Sequence, residues 1–308
     1  MSRADGLGGP RTGRPSALGS DGRFPLRGPL RRGHASPGGL RLIWPRASAG
    51  PMGGRRRFRA LSLDLWFTTF YHTAEDAHGW DRSRATVVRE LLQRPGGRPC
   101  AEEEVEAAVR EVRAQLEADG FASVTTGPSV VLRAVSERLG AEIIGPLDAA
   151  ARSMAAAGLR TYPPRGNPDA EDLVRSLDHR GIPSVLVTNS SRPSTVWTEF
   201  LRARGGPPFR GVISSCDVGS AKPDPTIFRE AARRVGVAPE QLLHVGDRYE
   251  LDVVGALAAG CGAALYRGLW DQYPEEVYGP LPAPPAEMPE VTVLDRLETL
   301  REPALWDV

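Results

Sequence analysis

Phe58-Arg59-Ala60-Leu61-Ser62-Leu63-Asp64 is the stretch that decides the fold: a short apolar run ending in a carboxylate. Runs of this length and composition read as buried strands. In open α/β sheets, chemistry sits at the carboxyl ends of such strands. The pattern recurs downstream in Ser184-Val185-Leu186-Val187-Thr188, Gly211-Val212-Ile213-Ser214-Ser215, Leu242-Leu243-His244-Val245 and Ala263-Ala264-Leu265-Tyr266. Helices are predicted to end near His179-Arg180-Gly181 and to run over about 225–235 and 251–259. Alternating strands and helices of these lengths call for a parallel sheet covered on both faces.

Between 75 and 162 the spacing becomes helical: Val105, Val109, Val112 and Leu116 recur on one face, as do Val131, Val135 and Leu139. This block reads as an inserted helical subdomain, closed by the turn Pro163-Pro164-Arg165-Gly166-Asn167-Pro168. The expected architecture is α/β, a Rossmann-like parallel sheet core built from 58–74 and 163–300, with a helical insertion at 75–162 and a disordered tail at 1–57. The proline-rich run from Pro280 to Pro289 is expected to wrap the surface and to end in a short segment near Val293 to Leu300.

The composition narrows the function. A chain of 308 residues with 41% hydrophobic side chains can bury a real core, and a net charge of +1 gives no field favouring nucleic acid or an anionic membrane. A small-molecule partner is expected, to be read from local sites. Three scattered cysteines, Cys100, Cys216 and Cys261, suit free thiols in a reducing compartment, so a cytoplasmic location is expected. No apolar run approaches the roughly 18 to 20 residues of a membrane-spanning helix. The first 57 residues are crowded with Gly, Pro and Arg and hold only Asp5 and Asp21 as acids. Their arginine excess suits an RNA-binding arm or an organelle-targeting peptide; alternatively, Met52 is the true start.

Four features stand at the strand ends: Asp64; Thr188-Asn189; Lys222 in Ala221-Lys222-Pro223-Asp224-Pro225; and Gly246-Asp247-Arg248-Tyr249-Glu250-Leu251-Asp252. In order and spacing they resemble the four motifs of the haloacid dehalogenase (HAD) superfamily, over about residues 58–268. A carboxylate held in line with a reacting centre attacks without first losing a proton. Three acids in one cleft repel one another and call for a hard cation, for which Mg²⁺ suits oxygen ligands. The resemblance implies a hydrolase in which Asp64 forms an aspartyl intermediate. It assigns Asp64, Asp247 and the Trp66 carbonyl to Mg²⁺ directly, with Asp252 as a more distant or water-mediated partner. It also implies that the Thr188 hydroxyl, main-chain N–H groups at Asn189 and the Lys222 ammonium bind the transferred group. His244 reads as a packed strand residue and Asp224 as a helix cap.

One position departs from the phosphatase pattern. Where phosphatases of the superfamily carry a second aspartate as general acid/base, Asp64-Leu65-Trp66 places an indole that neither gives nor takes that proton. The 2-haloacid dehalogenases of the superfamily also carry an aromatic residue there, and they work without Mg²⁺. The acid pair Asp247 and Asp252 argues for metal-dependent phosphoryl chemistry on a small phosphate ester or acyl phosphate. A carboxylate-binding arginine among Arg82, Arg84 and Arg89 would instead suit a dehalogenase, although surface arginines are usually solvated. A third reading is a catalytically degraded binding module, with Trp66 and the inserted helices forming an apolar pocket.

Overall fold

The computed structural model describes residues 58–281 and 291–307. The expected tail at 1–57, with Met52, lies outside the described residues, as does most of the Pro280–Pro289 run. Six parallel strands form the central sheet: β1 (Ala60–Asp64), β2 (Ser184–Thr188), β3 (Val212–Ser214), β4 (Leu242–Gly246), β5 (Gly262–Tyr266) and β6 (Val293–Leu294), in the order β6-β5-β4-β1-β2-β3. Every residue of β1, β2, β4 and β5 is buried, as a parallel sheet with two covered faces requires. Alternation divides the strands between two cores. Leu61, Leu63, Leu186, Leu243 and Val245 face one, while Ala60, Val185, Val187, Leu242 and Ala263 face the other. β1 lies between β2 and β4, with Asp64 paired to Val187 and Ser62 to His244, so the three strand ends that carry the motifs are neighbours.

The chain leaves this sheet at Phe70–Tyr71 and returns at Arg165–Gly166, and these two short strands pair antiparallel at the base of the insertion. Within it lie α1 (Ala74–Leu91), α2 (Glu102–Ala118), α3 (Ala122–Thr125), α4 (Pro128–Leu139) and α5 (Leu147–Ala156). Val88, Leu92, Val105, Val112, Leu132, Val135 and Met154 form a core of their own, separate from the two beside the sheet. The helical spacing therefore reports real helices, but it missed a small antiparallel sheet of Leu92–Arg94, Arg98–Pro99 and Glu142–Ile143. Strands of two or three residues are too short to show a period-2 pattern.

Three further expectations need correction. β1 begins at Ala60 rather than Phe58, which makes an isolated bridge to Trp306. The C-terminal segment does not merely wrap the surface. It adds β6 parallel to β5 and buries Leu294, Leu297, Leu300 and Trp306, with the Trp306 Nε1–H donating to the Leu300 carbonyl at 2.7 Å. The predicted helix at 251–259 is a π-helical turn, Tyr249–Val254, running into an α-helix at Gly255–Ala259. The helix over 225–235 is found as expected. No helix of the described residues is long and apolar enough to cross a membrane.

Candidate active site

The Lys222 ammonium holds the site together. Its Nζ donates to Asp64 Oδ1 at 2.5 Å and to Asp252 Oδ1 at 2.6 Å, all three side chains being buried. Asp64 arrives on β1, whereas Lys222 comes from the turn before α6 (Pro225–Val235). Asn189, just after β2, fixes that turn: its Nδ2 donates to the Lys222 carbonyl at 2.9 Å and its Oδ1 accepts the Lys222 N–H at 2.7 Å. Asp224 then caps the helix by accepting the Thr226 N–H at 2.8 Å, the structural role read from its flanking prolines. Asp252 is brought back towards the sheet by the π-helical turn, the kind of irregularity that often marks a functional position. Gly246 makes room for it. A Cβ on Gly246 would lie 2.2 Å from the Asp252 carboxyl carbon, so no larger residue fits there without displacing the acid.

His244 does more than pack. Its Nε2 lies 3.1 Å from Asp252 Oδ1 and its Nδ1 lies 2.9 Å from Ser62 Oγ. A carboxylate only accepts, so Nε2 carries the proton and Nδ1 accepts from the Ser62 hydroxyl. Burial pushes the His244 pKa down, which matches this neutral form. A hydrogen-bonded chain thus runs from Ser62 through His244, Asp252 and Lys222 to Asp64. The sequence signal for it was a polar residue in each of two apolar strands, and the β1–β4 register places them opposite one another.

Burial raises the Asp64 pKa to about 6 despite the Lys222 charge, and Asp252 adds to the rise. Asp247 is pushed well up by burial and then by the charges on Asp64 and Asp252. Burial acts the same way on Asp252, but Lys222 and His244 outweigh it and hold that carboxyl below its ordinary range. Lys222 is held well up, its burial outweighed by the two carboxylates. One ammonium among three carboxylates leaves a deficit of positive charge. One oxygen from each of Asp64, Asp247 and Asp252 lies within 4.8 Å of the others, and Asp247 Oδ2 is buried without a hydrogen-bond partner. An all-oxygen donor set with an orphaned acceptor fits a hard divalent cation. Asp252 is the most committed of the three, since its Oδ2 also accepts the Arg248 N–H at 2.9 Å.

Asp64, Trp66, Thr188, Asn189, Lys222 and Asp247 line one cavity of about 440 Å³, with Asp252 buried behind it. The Thr188 Oγ1 is buried and unpartnered, a donor left for something in the cavity. The Asn189 side chain is spent on Lys222, so what it offers a ligand is main chain. Trp66 stands among His72, Trp80 and Trp197, with ring centroids 5.0, 5.3 and 5.5 Å away. His72, Tyr273 and Tyr278 also line the cavity, and no motif pointed to them.

A lysine-bridged acid cluster at the carboxyl end of a parallel sheet, with an inserted helical subdomain, defines an α/β protein whose sheet end carries a candidate active site. A family model described as haloacid dehalogenase-like hydrolase matches residues 88–260, more than half of the chain. The chain belongs to that family. A glyceraldehyde 3-phosphate phosphatase of Methanopyrus kandleri is 39% identical over 93 residues, which is 30% of this chain and 40% of that protein. The matched region is therefore well under two thirds of that relative's length. Among solved structures, a HAD phosphatase from Thermococcus onnurineus aligns with a TM-score of 0.51 at 19% identity, covering 79% of this chain and 96% of that one. A 2-haloacid dehalogenase from Pseudomonas syringae pv. Tomato DC3000 aligns with 0.50 at 18%, covering 79% and 96%. The fold is thus common to a protein named a phosphatase and to one named a dehalogenase.

Proposed function

We propose that this chain is a Mg²⁺-dependent phosphatase of a small phosphate ester or acyl phosphate, acting in the cytoplasm through a covalent intermediate on Asp64. The supporting observation is the orphaned Asp247 Oδ2 beside a Lys222-bridged Asp64, at the floor of a cavity that also holds the orphaned Thr188 hydroxyl. Asp64 and Asp247, with the Trp66 carbonyl, would hold the ion. Asp252, its oxygens already engaged, would act at one remove through Lys222. When bound, Mg²⁺ supplies charge to the transferred group and offsets the repulsion among the acids.

In this reading one Asp64 oxygen attacks phosphorus, the bond to the leaving oxygen breaks, and water then cleaves the aspartyl phosphate to restore the carboxylate and release phosphate. Lys222 keeps Asp64 ionised and, with the Thr188 O–H, faces the charge that develops on the phosphoryl oxygens. Trp66 supplies no proton to the departing oxygen. General acid catalysis is commonly worth about 10² to 10⁴ in rate, so leaving groups of low pKa are favoured. Residues 75–162 act as a cap over the cavity.

Trp66 also carries the second reading, a 2-haloacid dehalogenase, in which halide leaves without a proton. Asp247 and its orphaned oxygen favour the first. Purified protein is expected to hydrolyse p-nitrophenyl phosphate with Mg²⁺ and to lose that activity in EDTA. Chloride release from 2-chloropropionate in EDTA, without phosphatase activity, would replace it with the dehalogenase reading.

A further inference from the structure

A second cavity of about 220 Å³ adjoins the acid cavity between the sheet and the inserted helices, sharing Trp66, Asn189 and Tyr278 with it. Its charged lining sets three guanidiniums, Arg84, Arg113 and Arg192, against two carboxylates, Asp81 and Glu117. Those acids are already taken. Asp81 lies 3.5 Å from Arg84 and 3.1 Å from Arg113, and Glu117 lies 2.9 Å from Arg113. Arg192 pairs with no carboxylate among the described residues, although it is only 8% exposed. Its Nε donates to the Ala155 carbonyl at 2.9 Å, while its Nη2 is buried with no acceptor.

Packing alone is a poor reason to keep such a group. A buried unpaired ion is strongly unfavourable, and a hydrocarbon of the same length would fill the space without that cost. The indoles of Trp80 and Trp197, whose centroids lie 5.6 and 5.7 Å from the guanidinium carbon, offset part of it. The main chain also holds Arg192 in one place: its N–H donates to Ser190 Oγ at 3.0 Å and its carbonyl accepts from Ser214 Oγ at 2.7 Å. A rigidly presented donor with an open position is how a binding site reduces the entropy cost of its ligand. Trp66, packed on the same two indoles, forms the wall common to both cavities.

We propose that this cavity receives the leaving portion of the substrate, and that Arg192 binds a second anionic oxygen group on it, a carboxylate or a further phosphate. The substrate class is then a small phosphate ester bearing two anions, one over Asp64 and one at Arg192. This rests on the phosphatase reading for the first anion only.

The test compares kcat/KM for 2-phosphoglycolate, a glycol bisphosphate and ethyl phosphate, which lacks a second anion. One doubly charged ester is expected to exceed ethyl phosphate by about 10- to 100-fold, chiefly through KM, as a hydrogen bond to a charged group allows. Which one does so separates carboxylate from phosphate. Arg192→Met should bring that ratio close to one and Arg192→Lys should recover part of it; an unchanged ratio in Arg192→Met overturns the proposal. Because it is a ratio, general damage to the enzyme cancels. Tryptophan fluorescence supplies a readout without turnover, since two indoles touch the guanidinium. Phosphonoacetate or methylenediphosphonate should give a saturable change that weakens at least tenfold in Arg192→Met, and no response to either, or an equal one in the variant, overturns it. A fluorescence response without hydrolysis of any ester would sink the phosphatase reading and leave the anion pocket standing.

Discussion

At the residue scale, Lys222 carries the greatest electrostatic load, because it is the one ammonium bonded to Asp64 and Asp252 in a buried setting. Removing one partner of a buried ion pair typically costs about 3 to 5 kcal/mol. Lys222→Met should therefore lose that much stability at neutral pH, read by urea unfolding, together with activity. The part of the pH dependence that Asp252 carries should also change sign, while Asp64 and Asp247, raised already, act in the opposite direction in the native chain. In the native chain the Asp252 pKa is depressed, so its contribution to stability is present above the ordinary aspartate range and is lost as pH falls. In Lys222→Met the Asp252 carboxyl loses its counter-charge and rises above its unfolded value, and Asp64, already raised to about 6, rises further, so the variant should gain more stability than the native chain as pH falls from 7 towards 4. A variant that gains no more stability on acidification than the native chain would show that Lys222 is not what holds these acids ionised. Asp64, Lys222, Asp247 and Asp252 could be named from the chain because together, in order and spacing, they resemble the motifs of a known family; taken singly each would read as a cap or a surface residue. Arg192 could not, since its significance lies in missing a partner, and a sequence does not record partners.

At the scale of elements, the long buried strands β1, β2, β4 and β5 were legible because both faces are covered and apolar residues run without a break. The helix α6 was legible from its ends, Asp224-Pro225 at the start and Gly236 beyond the last turn, with Gly236 at a φ of 73°. Asp224→Ala should cost about 1 kcal/mol through loss of the cap to Thr226, seen as a lowered urea midpoint with an unchanged slope. A loss well beyond about 2 kcal/mol would mean that the cap also fixes the Lys222 turn. The π-helical turn at Tyr249–Val254 was not legible, because one extra residue per turn leaves no mark in a 3.6-residue pattern. Its consequence is local but central, since it sets the direction from which Asp252 meets Lys222.

At the scale of the whole molecule, three cores hold the described residues together: one on each face of the sheet and one within the insertion. The C-terminal segment belongs to the first. Trp306 is fully buried with its ring 6.2 Å from Phe58, and main-chain bonds join Phe58 N–H to the Leu305 carbonyl and Asp307 N–H to the Phe58 carbonyl. The end of the chain therefore clamps the residues that lead into β1, the strand bearing Asp64. Trp306→Ala should destabilise the protein by about 3 to 5 kcal/mol, measured by denaturant unfolding, despite its distance in sequence from every motif. A loss under about 1 kcal/mol would place the C-terminal segment outside the cooperative unit. This contribution escaped the sequence because β6 is two residues long and follows a proline-rich run, whereas the insertion announced itself through helical spacing.

The proposed phosphatase chemistry passes through a phosphoryl group bonded to Asp64, and that bond can be trapped chemically. Enzyme mixed with p-nitrophenyl phosphate and Mg²⁺, quenched during turnover and reduced with borohydride, should contain homoserine in place of Asp64 when its peptides are sequenced by mass spectrometry, and none when EDTA replaces Mg²⁺. Turnover that leaves Asp64 unreduced, or that converts a different carboxylate, would contradict it.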